Sequence, residues 1–292
     1  MYTAHSEYGQ LKTVYLKSIA DGFINQEKIN DQWQSLNYLN CPNYEKSFAE
    51  YVDFIHAIEA SGSEIRYFDE DGQTGMDSIY CRDASIATDY GMIICNMGKG
   101  QRKGEPKAQE KIFEKDGVKV LGVIEAPGTI EGGDVAWIDE KTLAVGHTYR
   151  TNPEGIHQLK TMLEPLGIEV IVAQMPHYRG VNDVFHLMSV FSPVDKNLAV
   201  VYSPLMPVYF RNFLLEKGYQ LVEVPDGEFD SMGCNVLALS PRNCLIVNGN
   251  PKTKSALEAA GCTVREYAGQ HISVAGGGGP TCLTRPIMRV KD

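Results

Sequence analysis

One cysteine, one histidine and several carboxylates stand out in this 292-residue chain because of where they fall. Cys282 follows Gly276-Gly-Gly-Gly279-Pro280-Thr281, a run that lets backbone approach closely and leaves a thiol poorly covered by neighbours. His186 sits in an apolar stretch, Glu131-Gly132-Gly133-Asp134 places two acids about a tight turn, and Asp77 and Asp83 bracket another short segment. A thiolate is a nucleophile, an imidazole moves protons near neutral pH, and a carboxylate can fix which ring nitrogen carries the proton. The set suits covalent acid–base catalysis.

Charged groups in hydrophobic surroundings are costly unless paired, so their placement marks a site. Carboxylates gathered in one pocket repel each other, and only raised pKa values or a cationic ligand can settle them. A planar guanidinium, which takes bidentate bonds from carboxylates, meets that demand best. A metal is the rival use of such groups, but no Cys-x-x-Cys or His-x-x-x-His spacing supports one. No metal or cofactor is expected. Cys41, Cys95, Cys244 and Cys262 read as small buried hydrophobes, while Cys81 and Cys234 could be either core or site.

These residues must be positioned by something, and the chain shows what. Gly62-Ser-Glu-Ile65, Gly117-Val-Lys-Val120, Gly167-Ile-Glu-Val170, Gly218-Tyr-Gln-Leu221 and Gly261-Cys-Thr-Val264 repeat one pattern at intervals of roughly 43 to 55 residues. A glycine there suits the left-handed turn that ends a helix, and the residue two or three on suits a strand. Each unit therefore holds a helix, a strand and a hairpin. Helices follow from Phe48, Val52, Ile55 and Ile58 in the first unit and Ile156, Leu159, Met162 and Leu163 in the third. Asn152-Pro153 and Asn250-Pro251 supply helix starts. Hairpins are expected over 84–94, 135–145, 190–202 and 236–247.

In register, Asp83, Asp134, Ser189, Asn235 and Cys282 fall at equivalent places, with Glu131 and His186 each three residues before a member of that set. The strand after Cys282 has no partner left except Leu11–Leu16, so the ring closes head to tail. The fourth unit, with Met232, Cys234 and Asn235, reads as chemically quiet. Residues 18–32 lack a pattern and read as a lid loop. The repeats run on without a linker, which gives a single α/β domain over 1–292.

A net charge of −10 argues against nucleic-acid binding and mildly favours a cationic small molecule. No apolar stretch reaches the length of a membrane span, and the N-terminal residues lack a signal-peptide pattern. Seven cysteines without disulfide-like spacing favour a reducing, cytoplasmic setting. A homodimer is compatible with the sequence but nothing in it requires one.

The chain resembles the guanidine-modifying enzymes of the pentein superfamily, nearest to the dimethylarginine dimethylaminohydrolase group, with arginine deiminases a step further off. The stretches that carry the resemblance are Asp77-Ser-Ile-Tyr-Cys-Arg-Asp83, 97–105, Ile130-Glu-Gly-Gly-Asp134, 146–152, His186-Leu-Met-Ser189 and Gly279-Pro-Thr-Cys282. The resemblance implies a five-bladed αβ propeller. It implies Cys282 as nucleophile, His186 as general acid/base and Glu131 orienting that histidine. It further implies Asp83, Asp134 and Asp77 on the guanidinium, and Arg102 and Arg150 on an α-carboxylate.

Two departures bear on the substrate. Arginine deiminases have His-x-Asp, but Met188 stands in the aspartate's place, which favours an N-alkylated guanidine such as N-methylated arginine. Arg82-Asp83 is conversely the deiminase-like form. The expected products are citrulline and an alkylamine or ammonia. An amidinotransferase that passes the same thiouronium to an amine is one rival, and a non-catalytic ligand-binding protein is another.

Overall fold

Gly62, Gly117, Gly167, Gly218 and Gly261 all adopt φ between 71° and 84° in a computed structural model of the chain, which describes residues 1–291. Each ends a helix by the left-handed turn that a side chain would resist, and each is followed within three residues by a strand. The repeat read from the sequence is thus a repeat of backbone conformation.

Four blades share one plan: an antiparallel hairpin, a crossover helix and a third strand parallel to the second. The hairpins are Ser85–Thr88 with Gly91–Ile94, Val135–Asp139 with Thr142–His147, Phe191–Asp195 with Leu198–Val201, and Leu237–Ser240 with Asn243–Val247. Their third strands are Val120–Val123, Glu169–Gln174, Gln220–Glu223 and Thr263–Tyr267. The remaining sheet is made from both ends of the chain. Arg285–Val290 runs antiparallel to Leu11–Leu16, with Tyr15 opposite Arg285, and Leu11–Leu16 pairs in parallel with Glu64–Tyr67. Tyr2–Thr3 adds an outer strand to it. The five small sheets form the expected five-bladed αβ propeller, closed head to tail.

Apolar side chains between neighbouring blades make the core. The helix Tyr44–Glu59 is capped by Asn43, whose side chain accepts from the Lys46 N–H, and it buries Tyr51, Phe54 and Ile58. Burying a side chain such as Phe54 contributes about 1.5–3 kcal/mol. The stripe expected at Phe48, Val52 and Ile55 is displaced by one position: Phe48 is exposed, and Ser47 lies against the core instead. The same helix turns Glu50 toward residues 270–272, where its carboxylate accepts three backbone N–H bonds and anchors the segment leading into the glycine run.

Residues 18–32 are not an irregular loop. Ile19–Gly22 and Gln26–Gln32 are helices capped by Ser18 and Asn25, and Ile19, Phe23 and Ile29 are fully buried. Helices of one or two turns are too short to show a periodic pattern, which is why the sequence looked featureless there. Among the described residues no helix is long and apolar enough to cross a membrane.

Candidate active site

The first hairpin strand of each blade, or its Arg285–Val290 counterpart, is preceded within three residues by one of Asp83, Asp134, Ser189, Asn235 and Cys282. These strand starts are stitched into a circle. Arg82 N–H donates to Cys282 O, Gly132 N–H to Asp83 O, Leu187 N–H to the Asp134 carboxylate, and Thr281 N–H to Asn235 Oδ1. Ser192 closes the remaining step, donating to Cys234 O and accepting from Val236 N–H. A small displacement of one residue is therefore resisted by its neighbours.

His186 and Glu131 are directly paired: Nε2 lies 2.8 Å from Oε2, with the glutamate wholly buried. The His186 ring turns Nδ1 toward Asp83 Oδ1 at 4.0 Å. Its own position is fixed locally, because Ser189 Oγ accepts the His186 N–H and Ser189 N–H donates back to His186 O. Gly133 makes this packing possible. A β-carbon there would stand 2.7 Å from Asp83 Oδ1 and nearer still to His186 Nδ1.

Burial opposes charge on His186, but Asp134, Asp83 and Glu131 outweigh it and lift its pKa to about 9. Burial likewise opposes charge on Glu131, yet His186 and Arg150 hold that carboxylate well below the usual range. Burial and the nearby Asp83 push the Cys282 thiol up to about 11, against the pull of Asn235 and Thr281. Both shifts favour the thiol on Cys282 and the imidazolium on His186, so the charge beside the sulfur governs whether a thiolate forms.

Cys282, His186, Asn235 and Met188 line one cavity of about 350 Å³, whose further walls include Phe185 and Phe229. Beside it, a recess of about 10 Å³ brings Asp77, Asp83, Lys99, Arg102 and Arg150 to the thiol's other side. Among the described residues Asp83 Oδ1 is buried and has no hydrogen-bond donor.

The other acids and the arginines are already partnered. Asp77 takes Lys99 Nζ at 2.6 Å. Arg102 lies 2.5 Å from Asp83 Oδ2 and binds Glu105 through two nitrogens. Arg150 Nη1 reaches Glu131 at 3.3 Å. Asp134, read from sequence as a guanidinium ligand, does not line the cavity: Thr148 Oγ1 donates to one oxygen at 2.7 Å and Leu187 N–H to the other at 3.0 Å. It braces the turn that carries His186. Burial raises its pKa to about 6. Cys81 and Cys234, left open by the sequence, differ: Cys81 is buried and donates to backbone carbonyls, while Cys234 is on the cavity wall. Lys99 and Glu105 carry no mark of a site in the sequence beyond falling in the stretch 97–105, and Asn235, in register but read as quiet, stands on the cavity wall beside Cys282.

Asp83, Glu131 and His186 present atoms within 4.8 Å of one another, close enough to surround a metal ion. Arg102 and Arg150 already neutralise the two carboxylates, so little negative charge remains to hold a divalent cation.

Residues 22–289 match the sequence profile of the eukaryotic N,N dimethylarginine dimethylhydrolase family. The chain belongs to that family. A dimethylarginine dimethylaminohydrolase of Streptomyces coelicolor is 30% identical over 210 residues, 71% of this chain and 73% of the relative. The fold is that of the Pseudomonas aeruginosa dimethylarginine dimethylaminohydrolase in complex with citrulline, with a TM-score of 0.77, 21% identity, and 95% of this chain and all of that one covered. The N-terminal domain of ArgZ, a cyanobacterial arginine dihydrolase, superposes with a TM-score of 0.80 at 16% identity, over 94% of this chain and 97% of that domain. Dimethylarginine dimethylaminohydrolase family members and the arginine dihydrolase thus share the five-bladed frame described here.

Proposed function

We propose that the protein hydrolyses a guanidino C–N bond, with N-methylated arginine as the favoured substrate and Cys282 as the nucleophile. The observation that carries this reading is that Cys282 and His186, the latter held by Glu131, open on one cavity next to a recess where Asp83 presents an unmet acceptor, Oδ1. Family membership supports the class of reaction.

A guanidinium carbon is a poor electrophile because resonance spreads its charge. Asp83 and Asp77 hold the guanidinium nitrogens and keep the group cationic, and that charge favours loss of the Cys282 proton to water in the open cavity. The thiolate sulfur then bonds to the guanidinium carbon. His186 gives its proton to the departing amine as the C–N bond breaks, leaving a thiouronium on Cys282. The neutral imidazole next takes a proton from water as the hydroxide adds to the same carbon, and the C–S bond breaks with the added hydroxyl's proton passing to the sulfur, which releases the ureido product and restores the thiol. Glu131 keeps the imidazole in one orientation throughout. Asp134 positions His186 through Leu187 and does not touch the substrate.

The walls at Met188, Phe185 and Phe229 support an N-alkyl substituent, because they place apolar surface beside the proton donor that serves the leaving amine. Arg102 and Arg150 are the residues that the resemblance assigns to the α-carboxylate. To bind one, each must exchange or share its present carboxylate partner.

The test is a screen of arginine, its monomethyl and dimethyl forms, agmatine and simple guanidines for ureido product, with and without an added amine acceptor. Citrulline and dimethylamine from dimethylarginine is the expected result. Ureido product from none of them, with no adduct on Cys282, overturns the reading. Product that incorporates the added amine would instead make the enzyme a transferase.

A further inference from the structure

We infer that Asn235 is a hydrogen-bond donor to the reacting sulfur, and so that the fourth blade contributes directly to the nucleophile. This rests on the assignment of Cys282 as the nucleophile. Asn235 Nδ2 lies 3.3 Å from Cys282 Sγ, and both residues are buried.

The amide cannot be turned the other way. Its Oδ1 accepts from the Thr281 backbone N–H at 3.0 Å and from Thr281 Oγ1 at 2.7 Å. A backbone N–H can only donate, so the atom facing it must be the oxygen, and the amide nitrogen must then face the sulfur. Thr281 precedes Cys282 in the chain, so one side chain holds both the backbone before the nucleophile and the nucleophile's own sulfur. The glycine run makes room for this. A β-carbon on Gly279 would lie 2.6 Å from Asn235 Cγ and Oδ1.

An N–H donor in a site shielded from water favours a thiolate over a thiol, because a sulfur anion accepts the bond more strongly. Burial opposes it most, and Asp83, in the recess on the thiol's other side, adds to that opposition. Asn235 therefore limits the rise of the thiol pKa and orients the lone pair of the attacking sulfur.

The test measures alkylation of Cys282 by iodoacetamide as a function of pH, with the modified peptide read by mass spectrometry so that the other six cysteines do not interfere. Asn235→Asp keeps the acceptor for Thr281 and replaces the donor by a carboxylate. Asn235→Ala removes both. Below the thiol pKa the rate follows the thiolate fraction. Losing one hydrogen bond to a charged group should therefore slow alkylation at a given pH about tenfold or more in the alanine variant, and further in the aspartate variant. The alkaline rise shifts upward by about one pH unit or more. Thermal unfolding of Asn235→Asp, which keeps the Thr281 contacts, establishes that the change is not loss of fold. Alkylation of a folded Asn235→Asp along the wild-type pH profile overturns the inference. A shifted profile supports it even if the wild type hydrolyses no guanidine, so this outcome is separable from failure of the proposed substrate.

Discussion

Gly133 is packed so tightly beneath the His186 ring that even a methyl group has no place between them. The glycine is a condition for the geometry of the histidine. Gly133→Ala must push His186 or Asp83 aside, and displacements of this size cost on the order of 10²-fold in rate. The prediction is a collapse of kcat with only a few degrees lost in Tm, checked by steady-state kinetics beside calorimetry.

A different prediction follows from the ionisation states. Cys282 is pushed up to about 11, so iodoacetamide, a neutral reagent, should alkylate it slowly at pH 8. A cationic haloamidine whose amidinium meets Asp83 Oδ1 beside the thiol should react far faster at the same pH, by roughly 10²-fold or more, as one unit of pKa is a factor of ten in thiolate. Equal rates for the two reagents would show that the recess does not activate the thiol.

The charge on His186 also predicts how stability varies with pH. Its folded pKa of about 9 lies above the ordinary 6.5, so the folded state binds the proton more tightly than the unfolded chain. That contribution is fully present below about pH 6.5 and is lost as the pH rises through 9. His186→Gln should flatten the fall of Tm across this interval. Activity that needs the imidazolium should fail over the same alkaline limb.

Met188 offers a test of specificity. It stands two residues beyond His186 on the cavity wall, and Met188→Asp would restore a carboxylate facing the substrate. The ratio of kcat/KM for arginine to that for dimethylarginine should rise by roughly 10–200-fold, the range that a pocket contact of this kind can supply. An unchanged ratio would remove Met188 as a determinant of the substituent.

Asp134 separates bracing from binding. Asp134→Ala leaves the Leu187 N–H buried without an acceptor, a cost of about 1–3 kcal/mol in stability. The apparent KM for substrate should change less than kcat, because the carboxylate acts on the position of His186. A large rise in KM with kcat preserved would mean that it holds substrate after all.

Much of this was legible from residue order. The five glycines announced the blades because a left-handed turn leaves few alternatives to glycine. The register they set also brought Asp83, Glu131, His186 and Cys282 to one centre. What the sequence could not show was which acids face the cavity. Asp83 and Asp134 hold equivalent places, yet one keeps a free oxygen and the other spends both on Thr148 and Leu187, a difference made by the neighbouring turn. Nor could it show that Arg102 and Arg150 are drawn inward by Glu105, Asp83 and Glu131. Asn235 falls in register with the site yet reads as inert in the sequence, since an amide reveals its partner only through what stands 3.3 Å away.

The closure of the ring also decides what the thiol depends on. Leu11–Leu16 takes Glu64–Tyr67 on one side and Arg285–Val290 on the other, whereas each of the four other sheets is built from one continuous stretch of chain. Cys282 sits on the turn that leads into Arg285–Val290, and its carbonyl accepts the Arg82 N–H. The sulfur is therefore placed by pairings between distant parts of the chain, and loosening that seam would displace Cys282 before it disturbed His186 or Glu131.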